Sequence, residues 1–202
     1  MIRTASPTDL SALPAIERAA GEPFRAIGMT AIADDEPPTV DELTAFQRDG
    51  RAWVWADADD RPAAYVLTEV VDGYAHIAQV SVHPGHARRG IGRRLVEHVA
   101  EWAAAGGLAG LTLTTFAEVP WNAPYYERLG FRVLADEELS PGLRAVRADE
   151  AARGLDAWPR VTMRCDGQGA ALAGAAAALT QPVLDQTISR VGREDRLPNA
   201  PD

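Results

Sequence analysis

The stretch Arg88-Arg89-Gly90-Ile91-Gly92-Arg93-Arg94-Leu95 sets four arginines around two glycines, directly after an apolar run and at the start of a helical pattern. Glycine lets a backbone approach a ligand closely. The first amides of a helix lack intrahelical partners and carry the positive end of its dipole. Together these features make an anion site suited to a phosphate or pyrophosphate. Residues 83–94 contain those four arginines and no acid. Arginines on a helix are often merely solvated and a glycine often marks only a turn, so G-x-G alone leaves the ligand open. The third glycine of a dinucleotide-binding G-x-G-x-x-G would fall at Leu95, and the Walker lysine is missing because all 20 basic residues are arginine.

The elements around this loop read as a mixed α/β chain. Ile2–Ala5 is a short strand, and residues 6–20 form a helical stretch opened by the cap-type residues Ser6, Thr8 and Asp9. Residues 21–39 read as a loop and 40–50 as a short helix. RAWVWAD (51–57), PAAYVLTEVV (62–71) and YAHIAQVSV (74–82) read as an antiparallel meander, with Asp72-Gly73 as a hairpin signal. From Ile91 the period changes. Ile91, Leu95, Val99 and Trp102 recur at helical spacing, and Gly106-Gly107 ends the helix. A β-branched strand (108–116), a short helix in WNAPYYERLG, a strand at 131–134, a helix over LRAVRADEAARG and a last strand at 159–165 complete the order. This predicts an α/β sheet of mixed direction in one domain, residues 1–165. Residues 166–202, with GQGAALAGAAAALT and a polar end, read as a low-complexity, mobile C-terminal tail.

Composition bounds the function. Hydrophobic residues make up 47% and charged residues 24%, as expected of a water-soluble globular chain. A net charge of −9 disfavours nucleic acid as a partner. No apolar stretch approaches the roughly 20 residues of a membrane helix, and the N-terminus does not read as a secretory signal. The single cysteine, Cys165, allows neither an internal disulfide nor a cysteine metal cluster. A cytoplasmic protein without a metal is the expectation.

Two segments then combine. VSVHPGHARRGIGRRLVEHVAEWA followed by VPWNAPYYERLGF resembles the GNAT N-acetyltransferase superfamily: a V-x-V-x-P strand end, a loop, G-x-G and an amphipathic helix, then N…Y-E-x-x-G-F. The element order from Ile2 to Cys165 fits that fold as well. The resemblance implies a GNAT-like acyl-CoA N-acyltransferase fold, with an antiparallel N-terminal meander and a parallel strand pair around the cofactor. It implies an N-acetyltransferase that takes acetyl-CoA as co-substrate and a primary amine as acceptor, by direct attack in a ternary complex. A homodimer is compatible with the fold, but nothing in the sequence shows one. The competing expectation is a non-catalytic acyl-CoA-binding or sensing module.

The resemblance also assigns residues. The backbone of Val80, Ser81 and Val82 should pair with the pantetheine arm, and an amide there, that of Val80, should polarise the acetyl carbonyl. The backbone of Arg88, Arg89, Gly90, Ile91, Gly92 and Arg93 should hold the pyrophosphate, and Asn122 should contact the pantetheine arm. Tyr126, placed before Glu127-Arg128-Leu129-Gly130-Phe131, should be the general acid, since a phenol of pKa about 10 stays protonated at neutral pH. Two positions depart from the family pattern. Ala87 stands where a Gln or Arg is usual, and Gln79 stands where many members carry a Glu that serves as base. For the base, Glu69, His76, Glu118 and Glu22 remain open. Strict alternation puts His76, Ala78, Val80 and Val82 on one strand face, unless a bulge intervenes. The amine should sit between residues 10–48 and the 117–122 loop, with Phe24, Trp53, Trp55, Phe116 and Trp121 as a candidate aromatic wall.

Overall fold

A computed structural model describes residues 1–167 and 186–188. Strands β1 (Ile2–Thr4), β2 (Ala52–Ala56), β3 (Pro62–Val71) and β4 (Tyr74–Val82) form the antiparallel meander. Strand β5 (Gly110–Phe116) pairs parallel to β4, and β7 (Arg160–Asp166) pairs antiparallel to both β5 and the short β6 (Arg132–Val133). The sheet order is β1-β2-β3-β4-β5-β7-β6. The expected single parallel pair is therefore present, at β4–β5.

The pair parts early. β5 pairs with β4 only across Ala75–Ile77 and Leu111–Leu113. Further along β4, the register with β3 shifts: Thr68 faces Ile77 while Leu67 faces Gln79. Ala78 is thus an extra residue, a β-bulge, which bends a strand and re-aims the residues after it. Ala75 and Ile77 before the bulge, and Val80 and Val82 after it, all reach the same core cluster. Ala78 instead packs with Tyr65 and Leu67 on the opposite face. Strict alternation through β4 is therefore corrected: His76 and Ala78 do not share a face with Val80 and Val82, and Ile77 does.

Two layers cover the sheet. On one face α4 (Ile91–Ala105) lays down Ile91, Leu95, Val96 and Val99, and α5 (Ala123–Arg128) adds Tyr126. On the other lie α1 (Leu13–Gly21), which brings Leu13 and Ile16, and α3 (Val40–Arg48), which brings Leu43. Thr39 opens α3 with a reciprocal cap, accepting from the Glu42 amide while the Glu42 carboxylate accepts from the Thr39 amide at 2.6 Å. Residues 21–39, expected as a loop, carry a 3-10 segment (Glu22–Ile27) and the one-turn helix α2 (Thr30–Ala33). Both are short helical turns, which hydrophobic periodicity does not resolve. Helix α6 (Pro141–Ala152) sits between β6 and β7 and reaches the same face as α1 through Glu150, which contacts Thr114 of β5.

Most of the expected tail lies outside the described residues. One part does not: β8 (Gln186–Ile188) pairs antiparallel to β4, with Gln79 facing Ile188, Val80 facing Thr187 and Ser81 facing Gln186. It takes the β4 edge just where β5 has left it.

Candidate active site

The parting of β4 and β5 creates a strand edge at Gln79–Ser81, which holds two of the predicted cofactor-binding residues. Val80 and Ser81 lie on that edge, and Val82 ends the strand. The loop that follows leads directly into α4. His83 accepts a hydrogen bond from the Gly85 amide at 3.1 Å and pins a 3-10 turn over Pro84–His86. Arg88 and Gly90 both take left-handed conformations, with φ of 63° and 70°. Gly90 caps α4, and Arg94 is its first intrahelical donor, to the Gly90 carbonyl at 3.1 Å. The amides of Ile91, Gly92 and Arg93 precede that donor and point out of the helix start. Arg93 leans along the helix to Glu97, 2.7 Å away. Arg88, Arg89 and Arg94 are exposed and form no ion pair among the described residues. The loop thus offers outward amides and positive charge together, the chemistry of an anion seat.

On the α4 side, Asn122 and Tyr126 stand on either end of α5's first turn. The Asn122 amide donates to Thr115 Oγ1 at 2.6 Å, which ties α5 to the end of β5. Tyr126 is fully buried in the cluster that holds Ile77, Val80 and Leu113, with its ring edge-on to Phe131 at 5.6 Å. Tyr125 meets it at 5.3 Å.

The base candidates scatter. Glu69 is half-buried on β3, and burial raises its pKa, with Arg51 opposing and Asp149 adding to the shift. His76 is sealed beneath the sheet's helical cover, its Nδ1 paired with Thr112 Oγ1 at 3.0 Å. Burial pushes its imidazole down to about 4, so it is neutral at neutral pH. Glu22 bonds to Arg25 at 3.1 Å on the surface. Glu118 is exposed at the rim of a cavity of about 280 Å3, lined by Ile27, Met29, Phe116, Val119 and Trp158.

The aromatic wall is partly as expected. Phe24 packs edge-on to Phe116 and Trp121 at 5.6 and 5.7 Å. Trp53 and Trp55 are a correction. Trp53 packs on α4 against His98 and Trp102, and Trp55 packs at a tilt against His86, because β2 turns both to the α4 face. Trp158, which precedes β7, takes a place beside Phe116 instead.

Sequence reasoning also missed Glu17. It lies on α1 with 8% of its surface exposed, and it accepts a hydrogen bond from the Tyr65 hydroxyl. Its signal was available: Glu17 follows Leu13 by four residues and precedes Ala20 by three, on the helix's apolar stripe. It lines a narrow crevice together with Gln79. The Gln79 amide donates to Ser81 Oγ at 2.9 Å, and its Oε1 has no hydrogen-bond partner among the described residues.

Comparison with known proteins agrees with this architecture. The family model described as Acetyltransferase (GNAT) family matches residues 14–131. The [ribosomal protein bS18]-alanine N-acetyltransferase of Salmonella typhimurium is 39% identical over 92 residues, covering 45% of this chain and 62% of that protein. The mycothiol acetyltransferase of Cellulomonas flavigena is 26% identical over 192 residues, 79% of this chain and 53% of that protein. The chain thus spans less than two thirds of either relative. The structure of the PaiA N-acetyltransferase from Thermoplasma acidophilum in complex with coenzyme A superposes with a TM-score of 0.59 at 14% identity, covering 83% of this chain and 98% of that one.

Proposed function

The chain belongs to the GNAT acetyltransferase family, and from that premise we propose that it transfers the acetyl group of acetyl-CoA to a primary amine by direct attack in a ternary complex. The observation that carries the reading is the β4 edge at Gln79–Ser81, bulged away from β5 and followed at once by the outward amides of α4. An extended pantetheine arm has amide groups that would pair with such an edge like an added strand. Its pyrophosphate would then meet the Arg88–Arg93 amides, with Arg88, Arg89 and Arg94 adding attraction. The edge now pairs with β8, so β8 and the arm compete for it.

In this reading the Val80 amide polarises the acetyl carbonyl as the tetrahedral centre forms. Asn122 orients the arm, and Tyr126 gives its phenolic proton to the departing thiolate. Transfer through a cysteine is disfavoured: Cys165 is buried, and burial pushes its thiol up, away from the nucleophilic thiolate. The acceptor enters from the opposite face, where the cavity bordered by Phe116, Trp158 and Glu118 opens. Glu118 supplies a carboxylate for its ammonium. A cytoplasmic setting, and no role for nucleic acid, membrane or metal, belong to the same reading, and a homodimer remains compatible with it.

A non-catalytic acyl-CoA sensor is the second reading. It is favoured by one observation: position 79 on the strand edge holds a neutral amide. Thiol release from acetyl-CoA, measured across metabolite amines and peptides with free N-termini, separates the two. Amine-dependent thiol release supports the enzyme. Binding of acetyl-CoA with no release under any amine overturns it in favour of the sensor.

A further inference from the structure

The acetyl-transfer reading needs a proton acceptor for the incoming ammonium, and position 79 cannot supply one. Gln79 is nonetheless built in as if it had a task. It is 1% exposed, its Nε2 is committed to Ser81, and its Oε1 faces no hydrogen-bond donor among the described residues. A buried amide oxygen left this way carries an uncompensated desolvation cost. It lines a crevice of about 10 Å3, shared with Glu17, Arg18, Gly21, Ile32, Ala33 and Asp35. That is the room a single water needs, provided polar groups hold it. Glu17 and Gln79 are those groups. Both lie on the α1 face of the sheet, over the Gln79–Ser81 edge where the acetyl carbonyl is proposed to sit. Tyr65, opposite Ser81 on β3, holds the Glu17 carboxylate from the far side.

We propose that Glu17 accepts the substrate's proton through one water held against Gln79 Oε1, in place of the carboxylate that position 79 lacks. The inference rests on the acetyltransferase reading. The ammonium gives one N–H proton to the water while the water gives one of its own to the Glu17 carboxylate. The freed lone pair forms the C–N bond as the C–S bond breaks, and the thiolate takes the Tyr126 proton. The second N–H proton of the acylated nitrogen returns to the Tyr126 phenolate, which leaves a neutral amide, a thiol and a protonated Glu17. Besides the Tyr65 phenol, the titratable and charged groups that line the crevice among the described residues include Arg18 of α1 and Asp35 after α2.

The test is the pH profile of kcat/KM, from about pH 5 to 10, with any amine that the wild type turns over. Glu17→Gln should lower kcat/KM near neutral pH by about 10²-fold, with the deficit closing as pH approaches the amine's own pKa. Its acetyl-CoA affinity should stay within about twofold. Tyr65→Phe removes a donor to the carboxylate and should move the acidic limb to higher pH. Gln79→Glu in the Glu17→Gln background should recover at least tenfold, which a folding defect would not allow. A folded Glu17→Gln protein with the wild-type rate and profile overturns the inference and leaves the acetyltransferase reading standing. If the wild type neither binds acetyl-CoA nor releases thiol with any amine, the reading itself falls and takes this inference with it.

Discussion

Glu150 of α6 and Arg160 of β7 meet 2.8 Å apart with both side chains withdrawn from solvent. Around them the pair is completed by Thr114, which donates to Glu150 and lies 3.1 Å from Arg160 Nη2, and by Arg147, which also bonds Glu150. The Arg160 guanidinium sits 4.7 Å from the centre of the Phe116 ring. One network therefore ties α6, β5 and β7 together directly behind the cavity assigned to the acceptor.

Breaking this network should cost stability rather than tune the chemistry. Removing one member of a buried pair leaves an uncompensated charge and costs about 3–5 kcal/mol. Glu150→Ala should lose that much in denaturant melts. The pH dependence follows from sign. Arg160, Thr114 and Arg147 outweigh burial and hold the Glu150 pKa below its ordinary value. Its contribution is then full above the unfolded carboxylate pKa of about 4.3 and is lost as pH falls through the lower folded value. Glu150→Gln, measured by melting between pH 2 and 7, should lose that acid-dependent component. Parallel wild-type and variant curves would refute the assignment.

The anion seat depends on the backbone at Gly90. Its φ of 70° is left-handed, and a Cβ there would meet no heavy atom within 4 Å. Gly90→Ala therefore brings strain without a clash, about 1 kcal/mol. Acetyl-CoA affinity should fall several-fold as the α4 start shifts. Arg89→Ala and Arg94→Ala should weaken binding as well, but with a smaller salt dependence than the wild type, since the lost interaction is the screened one. Isothermal titration at two salt concentrations reads both effects.

Tyr126 and Trp158 should separate by kinetic signature. Tyr126→Phe keeps the packing against Phe131 and removes only the hydroxyl. It should lower kcat by about 10²-fold or more and leave acetyl-CoA affinity almost unchanged. Trp158→Ala opens the cavity proposed for the acceptor, beside Phe116, and should raise the KM for the amine while sparing acetyl-CoA. If Trp158→Ala instead weakens acetyl-CoA alone, the cavity is not the acceptor's.

The sequence made some of this legible and hid the rest for physical reasons. The turn at Gly90 could be read because glycine, a helical period and a following run of arginines are all local signals. A sheet of mixed direction could be read because the meander ends where the period changes; the parallel pair, found at β4–β5, was implied by the family resemblance. The faces of β4 could not, since Ala78 bulges without any residue type that demands it, and one extra residue reverses every side chain after it. Trp53 and Trp55 were misplaced for a related reason: an aromatic residue on a strand says that it is buried, not against which layer. Glu17 showed on the apolar stripe of α1, but its partner Tyr65 is 48 residues away. The pairing of Glu150 with Arg160 likewise emerges only once α6 has docked on β5.

The last prediction concerns the strand edge itself. In this structure Gln186–Ile188 pair with Gln79–Ser81, the same edge proposed for the pantetheine arm. Both use main-chain hydrogen bonds, so they exclude one another. If a fraction of molecules holds β8 in place, the apparent affinity for acetyl-CoA is reduced by the fraction that remains open. A chain ending at Gly167 keeps β7 whole and removes β8. Its KM for acetyl-CoA should fall several-fold with kcat little changed, because the truncation touches binding and not the reacting groups. The full chain should also show slower amide exchange at Gln79–Ser81 than the truncated one, and acetyl-CoA should restore that protection in the truncated chain. An unchanged KM together with unchanged exchange would mean that β8 does not hold this edge in solution.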